Sequence, residues 1–422
     1  MDKIVIQGGK PLSGQTTISG SKNATLPMMA ASLLANGTTV LQNIPDLNDI
    51  KTMANLLRII GAKVQFGEKK IFIDTQQCSF FEAPYELVKT MRGSFYVLGP
   101  LLAKYGSAKI SLPGGCAWGP RPVDFHIKAM QQLGAQVSIE HGYVTSRCNR
   151  LQGAQISFDI QSVGATCQVI MAASLAEGET VILNAAKEPE VYALAQFINA
   201  MGGKISGHGT DTVRIRGVKL LQPITFSVPP DRIETGTFLI AAAITKSRFE
   251  VKGARFDEVS SLADKLRQAG VQIESQDSRI LIDARERNLN PLQITTAPFP
   301  GFPTDLQAQI MALMCITPGN SIITDTIYRD RFTHVPELRR LGANIQLDEN
   351  IAIINGVRKL SGAQVMATDL RASVALVLAG LVADGITEIH RIYHLDRGYE
   401  KVEEKLAGLG AQISREKDEL PF

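Results

Sequence analysis

The sequence predicts an α/β fold of two lobes, each made of three repeated units around inner helices. Three observations predict it. A helix end, a glycine and a β-rich run recur six times along the chain. A second signature interleaves with the first at the same frequency. The helices that open the repeats are apolar on nearly every face, so they belong inside a lobe rather than on its surface.

The first signature reads LLRIIGAKVQF at Gly61, MQQLGAQVSI at Gly134, INAMGGKIS at Gly202, LRQAGVQIES at Gly270, LRRLGANIQL at Gly342 and LAGLGAQIS at Gly410. The intervals are 73, 68, 68, 72 and 68 residues, a period too regular for chance. A glycine directly after a helix suits a left-handed C-cap. In the second signature an apolar helix ends near a glycine and a β-branched, alternating run follows, as in SLAEGETVILNA and CITPGNSIITDT. The fourth copy carries Ser247 in place of the glycine. Each repeat therefore reads helix, strand, helix, strand, strand. Units of about 70 residues are small for independent domains and are expected to pack by threes. The expected division is 22–229 for the first lobe, and 1–21 with 230–422 for the second, with the break near Pro229-Pro230.

Composition narrows the function. The chain has 422 residues, 45% hydrophobic and 20% charged, the profile of a globular protein with more than one core. A net charge of +3 is too weak to argue for nucleic acid. No apolar run is long enough to span a bilayer, and MDKIVIQGGK has no signal-peptide core, so a cytoplasmic protein without membrane insertion is expected. The five cysteines form no C-x-x-C pair, which argues against a disulfide framework or a zinc site. Cys78, Cys148, Cys167 and Cys315 are read as small buried hydrophobes.

The first residues of the six inner helices carry the chemistry. They are GSKNAT with Lys22 and Asn23, KTMRGS with Arg92, QSVGAT with Ser162, DRIETGT, PTDLQ with Asp305, and TDLRAS with Asp369 and Arg371. Capping explains Ser, Thr and Asp at such positions, and for Asp305 it is the competing explanation. It does not explain Lys22, Arg92 or Arg371, because cations are disfavoured at the positive end of a helix. Cations there predict bound anions, which free N–H groups at a helix start also favour.

One segment breaks the repeat. LPGGCAWGPRPVDFH (112–126) is rich in Gly and Pro around Cys116 and is expected to be an exposed, mobile loop. Arg121 and His126 are expected to favour the Cys116 thiolate, although His126 itself is read as structural. Trp118, the single tryptophan, either closes over a ligand or anchors the loop.

Over essentially its whole length the chain resembles the UDP-N-acetylglucosamine 1-carboxyvinyltransferases of the EPSP synthase superfamily. The resemblance rests on GSKNA (20–24), PGGCAWGPRPVDFH (113–126), SVGAT (162–166), VPPDRIETGT (228–237), FPTDLQAQ (302–309), RFTHVPEL (331–338), LSGAQVMATDLRAS (360–373) and RIYHLDRGYE (391–400). It implies an enolpyruvyl transferase-like, inside-out α/β barrel in each lobe, with three βαβαββ units, and the Cys116 loop as a lid. It also implies transfer of the enolpyruvyl group of phosphoenolpyruvate to the 3′-hydroxyl of UDP-N-acetylglucosamine, the first committed step of peptidoglycan synthesis. The implied partners are those two substrates. No cofactor and no metal is implied, and a monomer is expected.

Site roles follow from the same resemblance, motif by motif. Lys22, Arg121 and Arg397 match contacts to the anion of phosphoenolpyruvate. Asn23, Arg92, Arg121, Pro122, Val123, Asp124, Phe125, Ile160, Gln161, Ser162, Val163, Asp305 and Ile327 match contacts to the nucleotide sugar, and Arg371 is added as a substrate-binding residue. Cys116 matches the residue that protonates C3 of the enol, and Asp305 is the candidate base for the hydroxyl. Two alternatives stand beside this reading. One is 5-enolpyruvylshikimate-3-phosphate synthase, with a different acceptor; the other is a catalytically silent sensor of the nucleotide sugar.

Overall fold

The computed structural model of the protein describes residues 2–112, 123–285 and 288–418. It divides into two compact units, Gly20–Pro229 and Met1–Ser19 with Pro230–Phe422. Each unit has its own hydrophobic core.

The repeat is plainest in the third copy of Gly20–Pro229. Strand Gln155–Ser157 leads into helix Val163–Ala173, strand Glu179–Leu183, helix Pro189–Ala200, and the pair Ile205–Ser206 and Thr212–Arg216. The first two strands run parallel, which requires a crossover, and the inner helix supplies it. The last strand inserts antiparallel beside the second, giving the order first, second, fourth, third. The other five sheets among the described residues have four strands in the same order, so the unit is βαβαββ.

Three repeats are completed by strands from elsewhere in the sequence. In Gly20–Pro229, strand Thr225–Ser227 pairs parallel with Thr38–Gln42 of the first repeat. In the other unit, Ser13–Thr17 pairs with Arg248–Lys252, and Asp2–Gln7 lies between Ile386–His390 and Gln412–Lys417.

Burial follows the pattern of apolar faces. Every residue of helix Gln307–Cys315 is buried, as is every residue of Arg232–Ile244 except Arg232. Such helices have no polar face to offer to water and must be covered on all sides. The second helix of each repeat is amphipathic; in Asn48–Ile60, Lys51, Asn55 and Arg58 face solvent while Ile50, Met53, Leu57 and Ile60 are buried.

All six signature glycines, Gly61 to Gly410, adopt φ between 91° and 105°, the left-handed cap that the pattern demands. In the fourth copy of the second signature, Lys246 takes the left-handed conformation at φ 49°. Ser247 then accepts a hydrogen bond from the Leu12 backbone N–H at 2.6 Å. Among the described residues no helix is long and apolar enough to cross a membrane.

The cysteine reading needs one correction. Cys167 and Cys315 are buried, but Cys78 and Cys148 are only half-buried.

Candidate active site

In Gly20–Pro229 the candidate residues sit at the starts of inner helices. Ser21 caps helix Lys22–Ala31, its hydroxyl accepting from Ala24 N at 3.3 Å. Lys22 therefore occupies the first helical position, where its charge opposes the helix dipole. Asp49 resolves the conflict, with its Oδ2 3.2 Å from Lys22 Nζ and both side chains almost fully buried. Ser162 caps helix Val163–Ala173 in the same way, accepting from Ala165 N.

His126 brings several of these segments together. It lies on helix Asp124–Gln132, which also carries Asp124 and Phe125, with Val123 at its N-cap. Its ring packs edge-on to Phe95, from the turn that Arg92 opens, with centroids 5.3 Å apart. A Cβ on Gly164, just inside the Ser162 helix, would lie 3.1 Å from the same ring. Phe125 meets Phe158 edge-on at 6.1 Å, next to the segment with Ile160, Gln161, Ser162 and Val163. Ile160 itself is 66% exposed. The Arg92 turn also contacts the Lys22 helix, since a Cβ on Gly93 would lie 3.0 Å from Leu26 Cδ1.

His126 does not carry the positive charge that the sequence suggests. Burial, helped by the nearby positive charge of Arg92, pushes its pKa down to about 3, so it is neutral at physiological pH. Its Nδ1 is buried with no hydrogen-bond partner among the described residues. Cys116, Trp118, Arg121 and Pro122 lie outside the described residues.

In the other unit Asp305 joins a charged cluster. Arg331 Nη1 is 2.8 Å from its Oδ1, and Arg371 Nε is 3.4 Å from its Oδ2. Asp305 is 27% exposed, whereas the side chains of Arg331 and Arg371 are 5% and 1% exposed. Capping does not account for Asp305: its carboxylate faces the two guanidinium groups, and helix Gln307–Cys315 has no side-chain cap. Asp369, by contrast, caps the helix Leu370–Gly380, accepting from Arg371 N and Ala372 N at 2.8 and 3.0 Å.

Neighbouring side chains fix this cluster. Burial opposes the charge on Arg371, but Tyr399, Asp305 and Asp231 hold its pKa above the ordinary value. Its guanidinium lies over the Tyr399 ring, 5.1 Å from the centroid, and its two terminal nitrogens are buried without an acceptor at hydrogen-bonding geometry among the described residues. The Tyr399 hydroxyl in turn meets Thr237 Oγ1 at 2.8 Å and Gln309 Nε2 at 3.1 Å. Arg331 Nη1 also donates to Thr304 Oγ1, which donates to Asp325 Oδ2. Asp325 Oδ1 accepts from Ile327 N at 2.9 Å, tying Ile327 to the cluster.

Arg397 ends the turn Ile392–Arg397 and is followed by Gly398. A Cβ on Gly398 would lie 2.6 Å from Leu370 Cδ1 and 3.6 Å from Arg371 Nη1, so the turn abuts the Arg371 helix. Asp305, Ile327 and Arg371 thus come together, and the turn that ends in Arg397 lies against the Arg371 helix. Two of the three helix-start cations, Lys22 and Arg371, have counter-charges within the chain, in Asp49 and Asp305. Sequence reasoning singled out neither Asp49 nor Arg331. Arg331 opens the RFTHVPEL motif, and Asp49 stands in a helix first turn, where an acid reads as ordinary dipole compensation.

A family model described as EPSP synthase (3-phosphoshikimate 1-carboxyvinyltransferase) matches residues 6–406. The chain is 52% identical over 418 residues to the UDP-N-acetylglucosamine 1-carboxyvinyltransferase of Geobacter metallireducens, covering 99% of this chain and 100% of that protein. It belongs to the UDP-N-acetylglucosamine 1-carboxyvinyltransferase family. Another member of that family, from Lawsonia intracellularis, is 52% identical over 415 residues, 98% of this chain and 99% of the relative. Among solved structures, the enolpyruvyl transferase NikO from Streptomyces tendae matches with a TM-score of 0.89 at 25% identity, over 98% of each chain. EPSP synthase from Acinetobacter baumannii matches at 0.78 and 19% identity, over 99% of this chain and 100% of that one, a likeness of fold.

Proposed function

We propose that the protein transfers the enolpyruvyl group of phosphoenolpyruvate to the 3′-hydroxyl of UDP-N-acetylglucosamine and releases phosphate. The observation that carries this reading is the 52% identity, end to end, with relatives named for that reaction. The EPSP synthase of Acinetobacter baumannii, by contrast, is only 19% identical to the chain.

The chemistry assigns a task to each group. Addition to the enol ether needs a proton at C3 and a base at the attacking hydroxyl. The Cys116 thiol gives its proton to C3 as the 3′-oxygen bonds to C2, and Asp305 takes the hydroxyl proton. The product is a tetrahedral phospholactoyl adduct. Elimination then removes a proton from C3 and expels phosphate, restoring the double bond. Asp305 suits the base role because, of the three charged groups in its cluster, it is the one with substantial access to solvent.

Lys22, Arg121 and Arg397 neutralise the phosphate and carboxylate, which would otherwise repel the diphosphate of the acceptor. Asn23, Arg92, Pro122 to Phe125, Ile160 to Val163, Ile327 and Arg371 hold the nucleotide sugar. We place the reaction in the cytoplasm, as the first committed step of peptidoglycan synthesis, carried out by a monomer.

Phosphate release from phosphoenolpyruvate tests this directly, with UDP-N-acetylglucosamine in one sample and shikimate 3-phosphate in another. Release with the nucleotide sugar alone is the expected result. Release with the shikimate compound alone would overturn the acceptor, and silence with both would favour a binding-only protein.

A further inference from the structure

We propose that Arg415 is a positioning residue for Arg397: its guanidinium clamps the chain on both sides of Arg397 and so sets the affinity for phosphoenolpyruvate. This rests on the reading that Arg397 binds that anion.

Arg415 lies on strand Gln412–Lys417, in register with Ile4 of the neighbouring strand. Its Nη2 is 2.6 Å from Asp396 Oδ1 and its Nη1 is 3.1 Å from Asp396 Oδ2, a two-pronged pairing. Its Nε is 2.6 Å from Glu403 Oε1. Asp396 immediately precedes Arg397, and Glu403 stands in the first turn of helix Val402–Gly408. One planar group on a sheet strand therefore holds the residue before Arg397 and the helix that follows it. Asp2 Oδ2, at 3.8 Å, is the third carboxylate around the guanidinium.

The turn needs such a tie. Ile392–Arg397 is a single 3₁₀ segment, whose hydrogen bonds are poorer than those of an α-helix. Non-glycine residues in left-handed conformation bound it, Arg391 at φ 57° and Lys401 at φ 46°. Each such residue is strained and persists only where the surroundings impose it. Arg415 holds Asp396 between those two points and Glu403 just beyond the second. Lysine could not replace it, because a point charge cannot bridge a bidentate carboxylate and a second acid in fixed geometry. Gly398, packed on Leu370 and close to Arg371, leaves little room for the turn to drift without moving the guanidinium cluster.

A purely structural tie would lower thermal stability and leave the Michaelis constants of the folded enzyme alone. A positioning residue moves one of them selectively. Steady-state phosphate release is therefore measured for Arg415→Ala, Arg415→Lys, Asp396→Asn, Arg397→Ala and the double variant Arg415→Ala/Arg397→Ala. The proposal expects KM for phosphoenolpyruvate to rise about tenfold in Arg415→Ala and Arg415→Lys, with KM for the nucleotide sugar within about twofold of wild type. It expects no further rise when Arg415→Ala is added to Arg397→Ala, because the two act through one contact. If Arg397→Ala raises KM for phosphoenolpyruvate and the Arg415 and Asp396 variants do not, the clamp is refuted and the site reading stands. If Arg397→Ala leaves that KM unchanged, the site reading fails and takes the clamp with it. Should Arg415→Ala fail to fold, Arg415→Lys and Asp396→Asn, which keep the polar character of the site, decide the matter by the same criterion.

Discussion

Lys22 and Asp49 form an ion pair of 3.2 Å with 9% and 5% of their side chains exposed. The pair joins the first turns of two helices, Lys22–Ala31 and Asn48–Ile60. A buried pair of this kind contributes little net stability against an apolar replacement, yet removing one partner leaves an uncompensated charge at about 3–5 kcal/mol. Asp49→Asn is therefore expected to lower unfolding free energy by about 3 kcal/mol. Lys22→Met/Asp49→Leu is expected to recover most of that loss but to abolish turnover, because Lys22 is gone. Chemical denaturation of the three proteins, with phosphate release alongside, checks both halves. A double variant no more stable than Asp49→Asn would show that the pair stabilises the fold outright.

The two sides of the Asp305 cluster separate in the same manner. Asp305→Asn keeps the side-chain shape and an oxygen for Arg331 or Arg371 but cannot take up the hydroxyl proton. It is expected to lower kcat by about 10²–10⁴ with KM for both substrates little changed. Asp305→Ala also strips the counter-charge from two buried guanidinium groups and is expected to lower the melting temperature as well. Equal kcat in Asp305→Asn and wild type would remove Asp305 from the base role.

The repeat architecture was readable because its signals are local. A glycine that must adopt positive φ marks each helix end, and a helix with no polar face marks each interior. The strand exchanges were not readable at the level of partners. Asp2–Gln7 finds its neighbours at Ile386–His390 and Gln412–Lys417, and nothing in the local pattern of a six-residue strand specifies so distant a register.

At the site, cations at helix starts stood out because they violate a local rule. Their carboxylate partners did not stand out, since Asp49 obeys that rule and Arg331 lies in a loop. His126 was read as a charge that favours the Cys116 thiolate, but the fold turns its ring into the core against Phe95 and Gly164, where burial keeps it neutral.

That burial has a consequence for pH. His126 and His334 have pKa values pushed down by burial to about 3 and about 4, against 6.5 for an exposed histidine. The unfolded chain then binds more protons than the folded one below pH 6.5. The stability tied to each neutral ring is complete above that pH and is lost as pH falls toward the folded values. At pH 5.5 the loss is ~1.4 kcal/mol per ring. Denaturation midpoints at pH 7.5 and 5.5 measure it, and His126→Leu is expected to show a smaller fall than wild type. An identical fall would mean that His126 protonates in place.

Two glycines in contact with site segments predict opposite balances of stability and activity. A Cβ on Gly20 would lie 1.7 Å from the backbone oxygen of Asn43. That oxygen belongs to the chain just after strand Thr38–Gln42, so the strain falls on the backbone and displaces the Ser21 cap. Gly20→Ala is expected to cost at least about 2 kcal/mol of stability and to reduce soluble yield. On Gly398 the closest atom is Leu370 Cδ1 at 2.6 Å, the end of a side chain that can rotate. Gly398→Ala is expected to cost about 1 kcal/mol or less. The neighbouring Arg397 turn absorbs the remaining displacement, and KM for phosphoenolpyruvate is expected to rise several-fold. A variant with wild-type KM and a sharply lower melting temperature would show that Gly398 serves packing alone.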